Sequence, residues 1–164
     1  MEILNDNQIR QKIKRLSIEI LERNLNAKAI YLAGINKNGT RFADLICEEL
    51  QGLKPPFEIL PCNISLNPAA PLKYPIVLNV ENHSLRGKQI IVIDDVANTG
   101  RTIFYAMKPL LEVVPKKVEV AVLIDRKHKS FPVHVDYVGM SLATTAKENI
   151  LVDLMSENKS VKLD

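Results

Sequence analysis

Asp94 and Asp95 stand side by side at the end of an intensely apolar run, Ile90-Ile91-Val92-Ile93, and Thr99, Gly100 and Thr102 follow closely. Burying a carboxylate pair at a strand end is unfavourable unless something polar meets it. The stretch from Val96 to Thr102 opens a helix, where free backbone N–H groups and the positive end of the helix dipole favour an anion. Gly100 lets the backbone approach a ligand closely, and the threonine hydroxyls add donors. A phosphate grip beside acceptors for vicinal hydroxyls suits one molecule, a ribose 5-phosphate. A lone Thr-Gly-x-Thr would carry little weight. The length of the combined pattern disfavours an ordinary strand–turn–helix with solvated or capping aspartates.

The elements that must carry these residues are legible from periodicity. Ile9, Ile13, Leu16, Ile20 and Leu21 recur at helical spacing, which predicts an amphipathic helix over residues 6–25 with Asp6 as its cap. Apolar runs predict strands at 29–35, 57–66, 76–80, 88–94, 118–125 and 135–138. Residues 36–39 read as a turn and 40–51 as a second helix. A third helix is expected over 102–114, kinked at Pro109. Residues 67–75 hold three prolines and no periodic face, so they read as a loop, either passive or a mobile lid. Strands alternating with helices favour an α/β fold with a mostly parallel sheet and ligands at the carboxyl ends of its strands.

The bulk properties agree. A chain of 164 residues suits one domain, 1–164, with its core at about 10–153. The net charge of +3 suits an anionic ligand but is too small to argue for nucleic acid by itself. Cys47 and Cys62 lack metal or redox spacing and read as reduced thiols, and the histidines are scattered. The acidic first residues exclude a signal peptide, and no stretch reaches the roughly 18 apolar residues that span a bilayer. A soluble, cytoplasmic protein is expected.

Ile90 to Thr102 resembles the phosphoribosyl pyrophosphate signature of type I phosphoribosyltransferases. The resemblance implies that fold, with a small hood over a central sheet. It implies that Asp94 and Asp95 take the ribose hydroxyls, and that Val96, Ala97, Asn98, Thr99, Gly100, Arg101 and Thr102 surround the 5-phosphate. Lys14 to Asn24, Gly34-Ile35, Val122 to Val133 and Asp136-Tyr137-Val138-Gly139 are similar in order and spacing to the pyrimidine operon attenuator family, which also has uracil phosphoribosyltransferase activity. That resemblance implies a pyrophosphate loop at Lys37, Asn38 and Gly39, and a base site at Tyr137, Val138 and Gly139 working through backbone groups. It implies Mg²⁺ carried on the phosphoribosyl pyrophosphate with no direct protein ligand. It further implies a dimer or larger oligomer.

The chain departs from the family in four places. Asn38 stands where the family's pyrophosphate loop carries arginine, leaving Lys37 and Arg41 to supply charge. The lid at 67–75 offers only Lys73 and Tyr74, with Arg86 and Lys88 beyond it. Asn98 stands where purine enzymes use an aspartate acid/base, and an amide cannot exchange a proton at neutral pH. Ile18 takes the place of a histidine implicated in RNA contact, although Lys14, Arg15 and Arg23 remain. The expectation is therefore transfer of a phosphoribosyl group to a nucleobase, with uracil favoured. The alternatives are a nucleotide-sensing RNA-binding regulator with weak catalysis and a purine (hypoxanthine-guanine) salvage enzyme, to which the Asp-Tyr-Val-Gly segment is also similar.

Overall fold

The computed structural model describes residues 1–145 and 147–164. Its elements in chain order are β1 (Glu2–Leu4), α1 (Asp6–Arg23), β2 (Ala29–Ile35), α2 (Asn36–Gly52), β3 (Glu58–Ser65), β4 (Val77–Leu78), β5 (Gln89–Ala97), α3 (Arg101–Ala106), β6 (Lys117–Arg126), β7 (Tyr137–Leu142), β8 (Ile150–Asp153) and β9 (Ser160–Leu163). Short 3-10 turns cover Asn82–Leu85 and Lys108–Glu112.

The main sheet runs β4-β3-β2-β5-β6-β7, and all its pairings are parallel except β3 with β4. Period-two alternation sends Ile30, Leu32, Ile91 and Ile93 into a core under α1 and α2. The intervening Tyr31, Ala33, Ile90 and Val92 face a second core with Ile103, Ala106 and Leu110. With both faces covered, β2 and β5 read as continuous apolar runs, as parallel strands do. On α1, Ile9, Ile13, Leu16 and Ile20 are buried, so the predicted face is the observed one. The α/β expectation holds. A three-stranded antiparallel sheet, β1-β9-β8, brings both chain ends together as the hood, and its Leu4 and Val161 join the first core.

Several expected boundaries change for local reasons. The α1 cap is Asn5 rather than Asp6: Asn5 Oδ1 accepts from the Gln8 N–H and Gln8 Oε1 accepts from the Asn5 N–H. Asp6 pairs instead with Arg10 at 2.6 Å and Lys159 at 3.7 Å. The predicted turn at 36–39 is already the first turn of α2; Asn36 marks the entry with a left-handed φ of 52°, and Asn36 Oδ1 accepts from the Leu66 N–H. The third helix ends at Ala106, and Pro109 lies at the start of a separate 3-10 turn. The strand predicted at 135–138 begins at Tyr137 and runs to Leu142. β1, β8 and β9 went unpredicted. Residues 67–75 form no strand or helix.

Candidate active site

Strand β5 does not stop before its acids; it carries Asp94 and Asp95 and ends at Ala97, between β2 and β6. Asp94 is 8% exposed, and its Oδ1 accepts from the Asp95 N–H at 2.9 Å. Burial, and then the neighbouring Asp95 charge, pushes the Asp94 carboxyl well above the usual carboxylate range. Asp95 is more accessible: its Oδ1 accepts from the Val96 N–H at 2.8 Å and its Oδ2 from Asn38 Nδ2 at 3.0 Å.

The first turn of α2 lies directly on this strand end, and Gly39 makes that approach possible. A Cβ at Gly39 would meet the Ile93 carbonyl oxygen at 2.6 Å and Asp94 Oδ1 at 3.3 Å. Lys37, Asn38 and Gly39 therefore sit beside the acidic pair. Asn38 and Gly39 touch it, whereas Lys37 is exposed and makes no side-chain hydrogen bond among the described residues. The peptide bonds here are trans.

Beyond β5, Val96 to Ile103 and Pro68 line a cavity of about 190 Å³. Gly100 adopts a φ of 87°, immediately followed by helical residues. This left-handed-to-helical step turns successive N–H groups toward one concavity, a backbone nest for an anion. Thr99 anchors the loop from below: its carbonyl accepts from the N–H groups of Ser130 and Phe131 at 2.9 and 3.2 Å. On the β3 side, Arg101 Nη2 donates to the Pro68 carbonyl, so the proline-rich loop is tied to the nest. On the β6 side, Lys129 pairs with Asp125 at 2.6 Å. Arg126, 6% exposed, donates to Asn98 Oδ1 at 3.1 Å, Thr144 Oγ1 at 2.7 Å and the Thr145 carbonyl at 2.7 Å.

The nine residues 94–102 and the turn 37–39 thus come together. Tyr137, Val138 and Gly139 lie two strands away, on β7: Val138 is level with Val122 and, across β6, with Asp94, while Ala97 is level with Asp125 and Ser141. The Tyr137 phenol is buried against Glu119 Oε1 at 2.9 Å, and the Val138 and Gly139 carbonyls accept from Arg15 Nη2 at 3.0 and 2.6 Å. The Tyr137 hydroxyl and the Val138 and Gly139 carbonyls thus have partners within the chain. Farther along β7, Ser141 is level with Asp125, and Thr144 and Thr145 meet Arg126. Sequence reading missed the Pro68 and Thr144 contacts, which join residues far apart in the chain. The small polar run after β7 was their only local trace.

No group of three or more His, Cys, Asp or Glu side chains able to hold a metal occurs among the described residues. No helix among them is long and apolar enough to cross a membrane.

Comparison with known proteins bears on the family and the fold. A bifunctional protein PyrR from Caldicellulosiruptor bescii is 34% identical over 171 aligned positions, covering 99% of this chain and 94% of that protein. One from Streptococcus agalactiae is 37% identical over 162 positions, covering 96% and 91%. A Bacillus anthracis hypoxanthine-guanine phosphoribosyltransferase superposes with a TM-score of 0.72 at 20% identity, over 86% of this chain and 81% of that one. A Trypanosoma cruzi hypoxanthine phosphoribosyltransferase gives 0.74 at 18% identity, with the same coverage. The phosphoribosyl transferase domain model matches residues 1–155. Strand, acidic pair, nest and relatives all converge, and the chain belongs to the phosphoribosyl transferase family of pentosyltransferases.

Proposed function

We propose that this protein transfers the phosphoribosyl group of phosphoribosyl pyrophosphate to uracil. The observation that carries the reading is the continuity of Asp94 and Asp95 with the nest at Val96–Thr102, on one strand end beside the Asn38-Gly39 turn. Asp95, and Asp94 once ionised, accept the ribose 2- and 3-hydroxyls. The nest holds the 5-phosphate, and the turn of Lys37, Asn38 and Gly39 faces the pyrophosphate. The base nitrogen forms a bond to the anomeric carbon with inversion, and the bond to pyrophosphate breaks with its electron pair leaving on oxygen. The base's proton goes to solvent. Positioning and charge stabilisation supply the catalysis, and the Pro68 loop held by Arg101 excludes water. Magnesium, which favours oxygen ligands and retains water, would be held by pyrophosphate oxygens with Asp95 as its nearest accessible carboxylate.

Uracil is favoured because Asn98 cannot serve as an acid or base, and because PyrR relatives cover nearly the whole chain. The purine enzymes share the fold at about a fifth sequence identity. Purified protein is tested with phosphoribosyl pyrophosphate, Mg²⁺ and each of uracil, hypoxanthine, guanine and xanthine. Nucleotide from uracil alone is expected; preference for a purine refutes the base assignment, and no product with any base refutes the enzymatic one.

A second role in RNA-dependent regulation is suggested by the word bifunctional in the relatives' name. Of Lys14, Arg15 and Arg23 on α1, two are engaged within this chain: Arg15 on the β7 carbonyls, and Arg23 on the Asp136 carbonyl and over the Tyr137 ring at 4.8 Å. Nucleotide-dependent retardation of a pyrimidine leader RNA would support the role; sequence-blind, salt-sensitive binding counts against it. A cytoplasmic homodimer completes the reading. Exposed Phe104, Leu111 and Val114 offer an apolar face for it, and sedimentation of a single monomeric species would rule it out.

A further inference from the structure

Arg126 is a buried cation whose partners are all neutral. Its guanidinium meets the Asn98 carboxamide, the Thr144 hydroxyl and the Thr145 carbonyl, and no carboxylate lies within 4.0 Å among the described residues. A guanidinium is a donor only, so the Asn98 atom that faces it must be the carbonyl oxygen. The amide orientation at position 98 is thus determined by chemistry. The Nδ2 group is left pointing away from Arg126, with no hydrogen-bond partner among the described residues, on an exposed side chain that lines the cavity.

Pro68, tied to Arg101, lines the cavity on the β3 side. Asn98 also lines it, and behind Asn98, on the β6 side, stands Arg126 with Thr144 and Thr145. Asn98 follows the acidic pair by three residues, so a base on a ribose held by those acids comes within reach of its side chain.

We propose that Asn98 is a hydrogen-bond donor to the nucleobase and that Arg126 is the positioning residue that holds it in that sense. The inference rests on the phosphoribosyl reading above and names the specificity determinant of that site. A donor here selects a ring with an oxo group beside its reacting nitrogen, as in 2-oxopyrimidines. A purine offers no carbonyl next to its reacting nitrogen. The arginine also polarises the amide, strengthening the N–H it points outward.

The test is calorimetric, on the full chain, with two probes: ribose 5-phosphate, which reports the acids and nest, and uridine 5′-monophosphate, which adds the oxopyrimidine. Asn98→Ala is expected to weaken the nucleotide by roughly 3–10-fold, the worth of one neutral hydrogen bond, and ribose 5-phosphate by less, because the nest grips through backbone N–H groups that alanine keeps. Asn98→Asp, which turns the donor into an acceptor facing a carbonyl, is expected to weaken the nucleotide further. Arg126→Lys is expected to match Asn98→Ala, and the double variant to lose no more than either single one. Unchanged nucleotide affinity in Asn98→Ala, with ribose 5-phosphate still bound, overturns the donor assignment and leaves the phosphoribosyl reading standing. Equal losses for both probes in Arg126→Lys overturn its positioning role. A wild-type chain that binds neither probe overturns both readings. The Asn98 variants lie on an exposed side chain, so the donor assignment is tested even where an Arg126 variant fails to fold.

Discussion

Strand β6 has a polar cluster near each end, and the two are built on opposite plans. Near its amino end, Lys117 meets Glu119 at 3.1 Å and Asn24 Oδ1 at 3.2 Å, the Tyr137 hydroxyl donates to Glu119 at 2.9 Å, and Asn24 Nδ2 donates to the Tyr137 oxygen at 3.3 Å. Each of these groups has its partner in the chain, and the circuit is closed. Gln89 Oε1, on the neighbouring strand, is the one buried side-chain polar atom without a partner among the described residues. At the carboxyl end, Asp94, Asp95, Asn98 and Arg126 all retain unused donors or acceptors, and a cavity lies among them. A closed polar network stabilises the fold, whereas an open one carries electrostatic strain that a ligand relieves. The two ends should therefore separate when mutated: one in binding, the other in stability.

The largest effect is expected at Asp95. Asp95→Asn should weaken ribose 5-phosphate by about 10–100-fold, the range for charge-assisted hydrogen bonds, with the melting temperature nearly unchanged. Unchanged affinity by calorimetry would remove Asp95 from the ribose site. At the closed end, Tyr137→Phe strips a partner from the half-buried Lys117–Glu119 pair. It should destabilise by about 1–3 kcal/mol, a fall in melting temperature of roughly 2–10 °C, while ribose 5-phosphate affinity stays within about twofold. Loss of binding with unchanged melting would reverse the two ends' roles.

Asp94 sharpens the contrast through pH. Its carboxyl is raised in the folded state, so between the ordinary carboxylate value and the raised one the native chain holds more protons than the unfolded chain. Its contribution to stability therefore falls as pH rises through that window. Asp94→Asn should make the ligand-free protein more stable than wild type near neutrality, by about 1–2 kcal/mol, with the gap closing as pH falls toward 4. Denaturant titrations of both proteins across that range measure it; a gap that widens on acidification would exclude the burial effect. The smallest effect is expected at Arg101. Arg101→Ala releases the Pro68 carbonyl and should cost roughly 2–5-fold in ribose 5-phosphate affinity, the worth of one modest hydrogen bond. A loss as large as that of Asp95→Asn would make Arg101 a principal phosphate ligand.

Much of this was legible beforehand. The strands under the site announce themselves because burial on both faces demands continuous β-branched runs, as at Ile90–Ile93. The α1 face follows from helical spacing alone. The segment Tyr137 to Gly139 shows where such reading stops. Its level on the sheet depends on the register of β7 against β6, and its carbonyls are engaged by Arg15 of α1; no local pattern encodes either.

By itself, then, the sequence determined the left-handed step at Gly100, the adjacent acids and the alternating strands and helices, because each depends on backbone preferences and burial acting within about a dozen neighbouring residues. Tertiary structure decided which termini form the hood, that Asn38 touches Asp95, and that Arg126 turns the amide of Asn98 outward. Those contacts join residues 28 to 162 positions apart. Their geometry comes from packing helices against both faces of one sheet, and only the folded chain brings such groups within hydrogen-bond reach.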